Sequence, residues 1–419
     1  MQKFTGYQYL LIDVANAYGH DKLVFEDRLQ WAEQNLKQLE SLADKADSKP
    51  LFMKAVMAIR KAQKGVATGH LVGFDAVCSG IQIMSALTGC EAGAAATGLI
   101  DTGERPDAYT STTKVMNGLL ASQGISLNVS RPDAKAALMT SCYGSKKKPK
   151  EIFGEGTPEL AAFYEAVQIV APGAWELLTV LLESWQPYEL FHTWQLPDGF
   201  QAKVKVMVRK EARVEVDELD HSTFTYAFMV NEGEKKGLSN VANIVHSIDA
   251  YVLRSIHRRC NYDPLMVTAA LNNLRVEQQL RTQNQSEESN NVWFQGSKIN
   301  YYKELYERSG MADVVILPYL MTTDACEHLS DDHIKDLIQI AEAMLEHKPF
   351  EVVTIHDEFK CHPNNMNQLR YWYKEILAEL AESEVLSDIL SQIHGVVGKY
   401  EKKSTNLAAQ IRNSNYALC

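Results

Sequence analysis

No run in this chain approaches eighteen consecutive apolar residues, so no stretch reads as a transmembrane helix. No CxxC pair occurs among its seven cysteines (78, 90, 142, 260, 326, 361 and 419), and their odd number leaves at least one without a mate. That usage argues against a disulfide framework or a zinc ribbon and points to reduced thiols in a cytosolic compartment. Cys326-Glu-His328 and Cys361-His362 lack the matching second pair that a structural zinc site needs. There is no GxxxxGK[ST] phosphate loop and no internal repeat. The amino-terminal apolar patch is short and interrupted by Asp13, so it does not read as a secretory signal. Positive charge is in deficit: 42 Lys and Arg stand against 53 Asp and Glu, a formal net charge of −11. A chain whose whole surface grips nucleic acid is thereby disfavoured.

What is present is an ordinary globular composition, 46% hydrophobic and 23% charged over 419 residues, enough for about three domains. Leu29, Ala32, Leu36 and Leu39 recur at helical spacing and predict a helix over about 24–43, broken by Asp47-Ser-Lys-Pro50 and followed by another from Leu51 to about Lys64. His70-Leu-Val-Gly-Phe74 reads as a buried strand delivering Asp75. The Gly/Ala-rich stretch from Gly80 to Leu99 predicts close helix packing. From Trp194 to Val230 the pattern switches to period two around a Pro197-Asp-Gly199 turn, which reads as a β-hairpin or small meander. Thr282–Asn291 is linker-like. Helices over Ile334–Leu345 and Leu369–Leu380 flank the β-branched run Phe350–Ile355, which ends at His356-Asp357.

Two apolar strands thus deliver an aspartate at their ends, Asp75 and Asp357, 282 positions apart. Carboxylates converging in this way can hold a pair of Mg²⁺ ions for phosphoryl transfer, although singly each also fits a cap or turn. Ser130-Arg131-Pro-Asp133 is a helix start, with Ser as N-cap and Pro in the first turn. It sets Arg131 and Lys135 four apart on one helical face, a pattern that suits a triphosphate and equally a solvated pair. Tyr143-Gly144 closes that helix.

Taken together, Gly73-Phe-Asp75-Ala-Val-Cys-Ser-Gly-Ile-Gln82, Arg131-x3-Lys135-x3-Met139-Thr-x2-Tyr143-Gly144 and Ile355-His-Asp357-Glu-Phe359 resemble motifs A, B and C of the single-subunit DNA-dependent RNA polymerases, the family of phage and mitochondrial enzymes. Pro197-Asp-Gly-Phe200, Asn243-Ile-Val-His246-Ser247 and the terminal Tyr416-Ala-Leu-Cys419 follow in family order. The resemblance covers most of the chain except about 260–340. It implies an α+β, mostly helical right-hand polymerase, with palm and fingers around a small antiparallel palm sheet. Residues 1–103 would be palm, 104–245 fingers with a specificity-type hairpin at about 194–230, and 246–419 palm with an insertion at about 260–340.

Position by position, the resemblance implies that Asp75 and Asp357 hold two Mg²⁺ ions, with the Ala76 carbonyl as a further ligand. Arg131 and Lys135 would bind the incoming ribonucleoside triphosphate, and Lys135 would protonate pyrophosphate. Tyr143 and His246 would select ribose, and Tyr109 would add a nucleotide contact. Gly144 would let the template approach, and His356 would help place the RNA 3′ end. Lys203, Lys205, Arg209 and Arg213 would line a DNA-binding hairpin. Glu358 stands where many relatives have Ser and is more typical of A-family DNA polymerases. Gly80-Ile-Gln82 stands where those enzymes carry their steric-gate glutamate, so RNA synthesis is favoured over an A-family-like DNA polymerase fragment. Intact Asp75, Lys135 and Asp357 speak against a catalytically inactive accessory subunit.

The chain begins downstream of the family's Arg-Gly-Arg segment. The resemblance is therefore to the larger subunit of a split, heterodimeric phage RNA polymerase, working in the cytoplasm of an infected bacterial host. Its partners would be DNA template, RNA product, a smaller, more basic polymerase subunit, and a single-stranded-DNA-binding or promoter-recruiting factor, with no membrane. Leu10, Leu11 and Ile12 are the expected interface with the smaller subunit, and the isolated chain is expected to be nearly inactive.

Overall fold

The computed structural model describes residues 1–283 and 297–419; most of the linker-like segment Thr282–Asn291 lies outside them. The chain is α+β and mostly helical. Its first helix, α1 (Gly6–Ala15), starts in a reciprocal Thr5–Gln8 capping box. Leu10, Leu11 and Ile12 are its buried face, packed against α2 (Phe25–Asn35) and α3 (Lys49–Gln63). They are core residues, which corrects the expectation that they form an exposed interface. The helix expected over 24–43 also ends early, at Asn35, and Leu39–Lys45 continues as a tighter 3₁₀ turn. The reason is tertiary: Arg60 on α3 donates to the carbonyl of Leu36 and to Glu40, all at 2.8 Å, while Leu39 turns into the core. Pro50 lies in the first turn of α3, where its missing N–H costs nothing.

The strand β1 (Val72–Asp75) buries Val72 and Phe74 and leads through a left-handed Cys78 into α4 (Ser79–Thr88) and α5 (Glu91–Ala96). Small residues do bring these helices close: a Cβ on Gly93 would sit 2.4 Å from the Ser85 hydroxyl. Beyond them come α6 (Ala108–Ser122), α7 (Arg131–Ser141), α8 (Lys147–Phe153), α9 (Pro158–Val170) and α10 (Pro172–Glu183). Among the described residues no single helix is long and apolar enough to cross a membrane.

The β-rich region is two hairpins in separate sheets, where one hairpin or meander was expected: β2 (Phe191–Gln195) with β3 (Gln201–Lys205), and β4 (Met207–Val216) with β5 (Ser222–Asn231). Arg254 and Arg258, on the long helix α11 (Ser239–Cys260), grip Asp198 in the first hairpin's turn and hold that hairpin to the body. Among the described residues the second hairpin pairs only with itself. The 260–340 segment is helical where described, with α12 (Pro264–Thr282), α13 (Lys298–Ser309), α14 (Thr323–Cys326) and the start of α15 (Asp331–Leu345).

The last strands, β6 (Val353–Ile355) and β7 (Glu358–Cys361), form a tight hairpin, followed by α16 (Met366–Glu382), α17 (Val385–His394) and α18 (Leu407–Asn413). The strand order β1-β7-β6 joins the two halves of the chain in one antiparallel sheet, with α16 packed beside it and against α4 and α11. The chain terminus completes the arrangement. Ala76 bridges Leu418, and Cys419 N–H donates to the Asp75 carbonyl at 3.1 Å. Gln82 ties α4 to this layer by donating to the carbonyls of Thr97 and Ala417 and accepting from the Tyr373 hydroxyl. All seven cysteines are free thiols, and burial pushes those of Cys326 and Cys361 up to about 12, far from metal-ligand or nucleophile chemistry.

Candidate active site

The register of β1 and β7 sets Asp75 opposite Glu358 and gives Ala76 N–H a 3.0 Å hydrogen bond to the carbonyl of Asp357. The two aspartates are therefore neighbours across one sheet edge. Asp357 is delivered by the two-residue β6–β7 turn, in which His356 adopts φ 56°, a left-handed conformation that histidine tolerates better than most residues. Both aspartates line a cleft of about 480 Å³, and Ala76, Tyr109, Arg131 and Lys135 line it with them.

Asp75 is exposed at the end of β1 and opens on the cleft. Its carboxyl is raised above the usual range, first by burial and then by the nearby Glu358 and Asp357, against the smaller pull of Lys22 and Lys360. Lys360 is itself bound to Glu358 at 2.8 Å. Three carboxylates thus converge at one sheet edge, one of them, Glu358, held by Lys360. A hard, oxygen-rich donor set of this kind suits Mg²⁺. Among the described residues another group could gather around a cation, Glu215, Asp217 and His221, but it is exposed at the tip of the β4–β5 hairpin and outside the cleft.

The facing wall is α7. Ser130 caps it by accepting from Asp133 N–H, and Arg131 leads its first turn. Arg131 is pinned by Asp107 at 2.7 Å and by the Thr110 hydroxyl at 3.2 Å. Asp107 is in turn the N-cap of α6. Burial would raise the Asp107 carboxyl, but hydrogen bonds from Thr110 and Arg131 outweigh it and hold the group below its usual range. The Arg131 guanidinium and the Lys135 ammonium lie 5.6 and 5.4 Å from the centre of the Tyr109 ring. Lys135 is exposed to the cleft, one turn beyond Arg131 on the same face.

Tyr143 and His246 meet beside this cleft, ring centres 4.6 Å apart, although neither lines it. Burial, then Cys78, Cys142, Asp249 and Asp357, raise the Tyr143 hydroxyl, so it stays protonated and can donate. A Cβ on Gly80 would sit 2.9 Å from that hydroxyl, which explains the glycine in the first motif. Gly144 has φ +85°, and a Cβ there would meet Leu178 and Val241 only at 3.6 Å. The backbone, rather than lack of space, demands glycine. Gly144 is buried beside those residues, and His356 is exposed at its turn.

Asp249 was not among the residues singled out from sequence. It lies one turn after His246 on α11, and burial, then Asp357, push its carboxyl up to about 6. Its position two residues after the His246-Ser247 pair was the only available signal. An acid whose folded pKa exceeds its usual 3.8 opposes folding increasingly as pH rises from about 4 through 6, and fully above that. Asp249→Asn should therefore stabilise the protein by about 2–3 kcal/mol at pH 8 and by well under 1 kcal/mol at pH 4. Urea melts at the two pH values check this; equal gains at both would contradict it.

Comparison with known proteins bears on the same elements. Residues 3–149 match the family model described as DNA-dependent RNA polymerase. Over 175 residues the chain is 29% identical to a DNA-directed RNA polymerase of Pseudomonas phage phiKMV, a match covering 34% of this chain and 21% of that relative. The chain thus matches about a fifth of the length of this phage enzyme. The match over residues 3–149 takes in β1, α6 and α7, and with them the first two of the three motifs; the third, at Ile355–Phe359, lies outside it.

Proposed function

We propose that this chain is the catalytic part of a DNA-directed RNA polymerase, a nucleotidyltransferase that extends RNA on a DNA template from ribonucleoside triphosphates. The observation that carries the reading is the cleft in which Asp75 and Asp357, from distant parts of the chain, face Arg131, Lys135 and Tyr109. In this reading residues 1–103 and 246–419 form a palm and 104–245 the fingers of a right hand. Asp75 and Asp357, with the Ala76 carbonyl, would hold two Mg²⁺ ions, which supply charge neutralisation for the reacting phosphates. Arg131, fixed in orientation by Asp107 and Thr110, grips the triphosphate, and Lys135 beside it donates a proton to the leaving pyrophosphate. His356, at the turn that delivers Asp357, would help place the RNA 3′ end, and Gly144 would let the template approach. A virus-encoded enzyme acting in an infected host cell fits the phage relative. A smaller companion subunit and a single-stranded-DNA-binding or recruiting factor complete the proposal.

The Tyr143–His246 pair is assigned to sugar selection. Wild type should incorporate ribonucleotides well in preference to deoxyribonucleotides. Tyr143→Phe should keep polymerisation while lowering that preference by about 10–100-fold, since one hydroxyl leaves the polar network near the 2′ position. A wild-type enzyme that uses both sugars equally would favour the A-family-like DNA polymerase alternative. One that adds no nucleotide in any reconstitution would favour the inactive accessory subunit.

The four cations assigned to DNA are divided between the two hairpins. Lys203 and Lys205 lie on β3, with Lys203 4.4 Å from the centre of the Phe191 ring, and Arg209 and Arg213 lie on β4. Lys203→Ala with Lys205→Ala should weaken template binding and lower the slope of log affinity against log salt by about 1–2. An unchanged salt titration would assign these lysines to a merely solvated strand.

A further inference from the structure

The β4–β5 hairpin has two unlike faces. Its register pairs Lys210 with Phe228, Ala212 with Tyr226 and Val214 with Phe224. Because side chains alternate along a strand, these six share one face, while Arg209, Glu211, Arg213 and Glu215 share the other. Phe224, Tyr226 and Phe228 form a stripe with ring centres 6.5 and 5.5 Å apart. They remain 53%, 47% and 39% exposed, so nothing in the described chain covers them. A hairpin ten residues long and two strands wide offers roughly 300–350 Å² per face, about the largest apolar patch that an ordinary monomer tolerates without using it.

We propose that this face docks a protein partner whose surface is apolar and rimmed by basic side chains. The charges choose among possible occupants. Lys210 is the cation of the aromatic face, and it is already bound to Glu232. Among the described residues no free cation is left on that face to neutralise phosphates, which nucleic-acid binding requires. At the tip stand Glu215, Asp217, Glu218 and Asp220; His221 lies 2.8 Å from Glu215 and 3.2 Å from Asp217, but the four carboxylates outnumber it, so the tip repels a phosphate backbone and attracts Lys and Arg. A second copy would bring the same aromatic face, with Lys210 paired, and an equally acidic tip that repels this one. Exposed Phe and Tyr side by side are the residues that anchor protein interfaces. The proposal is independent of the catalytic reading, because it uses no residue of the cleft.

The experiment is site-specific photo-crosslinking in the full chain, made in its native cell, with Tyr226→p-benzoylphenylalanine and mass spectrometry of the product. The expected result is one crosslinked polypeptide, joined through an apolar segment flanked by Lys or Arg. Adding Phe228→Ser should cut the yield at least tenfold, and Asp217→Asn with Glu218→Gln should make the complex dissociate at lower salt. The same probe at Thr225, on the other face, should not capture that polypeptide. Asp75→Asn should leave the crosslink unchanged, so failure here and failure of the catalytic assignment remain distinguishable. A crosslink to nucleic acid, to a second copy of this chain or to an acidic surface would overturn the proposal, as would no crosslink at all.

Discussion

Asp75→Asn or Asp357→Asn should reduce nucleotide addition by at least about a thousandfold while the protein stays folded. Each change removes one of the charges that would hold the cations, and losing several kcal/mol of charge stabilisation is worth at least that factor. The stability side of the expectation comes from the structure. The Asp75 carboxyl is raised by burial and by Glu358 and Asp357. Its charge therefore opposes folding at neutral pH, and removing it should leave the urea midpoint unchanged or move it upward. Loss of activity with an unaltered or higher midpoint separates a catalytic role from a structural one. Near-normal extension of an RNA primer by either variant would remove this site from the mechanism.

Glu379→Ala should cause the largest loss of stability, about 3 kcal/mol. Arg259 on α11 is wholly buried and forms two 2.6 Å hydrogen bonds to the Glu379 carboxylate on α16. Its guanidinium also lies 5.2 Å from the centre of the Trp372 ring. Removing the carboxylate strands a buried cation, a change that typically costs about 3–5 kcal/mol. The lower end applies because the Glu379 side chain keeps 17% of its surface. Urea unfolding at pH 7 measures the loss. Arg259→Met with Glu379→Leu should recover much of it, since replacing both charges leaves neither unpaired. Since α11 also carries His246 and Asp249, the single variant should lose activity at temperatures below its melting transition.

Much of the local structure was legible in the chain. Ser130 and Pro132 fix the start of α7 through one cap and one dihedral, and that start determines that Arg131 and Lys135 share a face. The turn at Pro197-Asp-Gly199 and the strand leading to Asp75 depend on neighbours within a few residues and were read correctly. The helix expected over 24–43 forms but stops at Asn35, because Arg60, more than twenty positions away, captures the Leu36 carbonyl. Leu10–Ile12 were misread because hydrophobicity says that a residue will be covered, but not by what.

The same boundary runs through the site. By itself the sequence determined the residue types of the three motifs, their order and the elements that carry them, because caps, turns and side-chain periodicity act over one or two turns of chain. Only the tertiary structure decided that Asp75 and Asp357 adjoin, that Asp107 fixes Arg131, that Asp249 feels the charge of Asp357 and that the described residues leave an aromatic stripe on β5 uncovered. These are relations between segments up to 282 positions apart, set by strand register and helix packing, and no local preference encodes a distant partner.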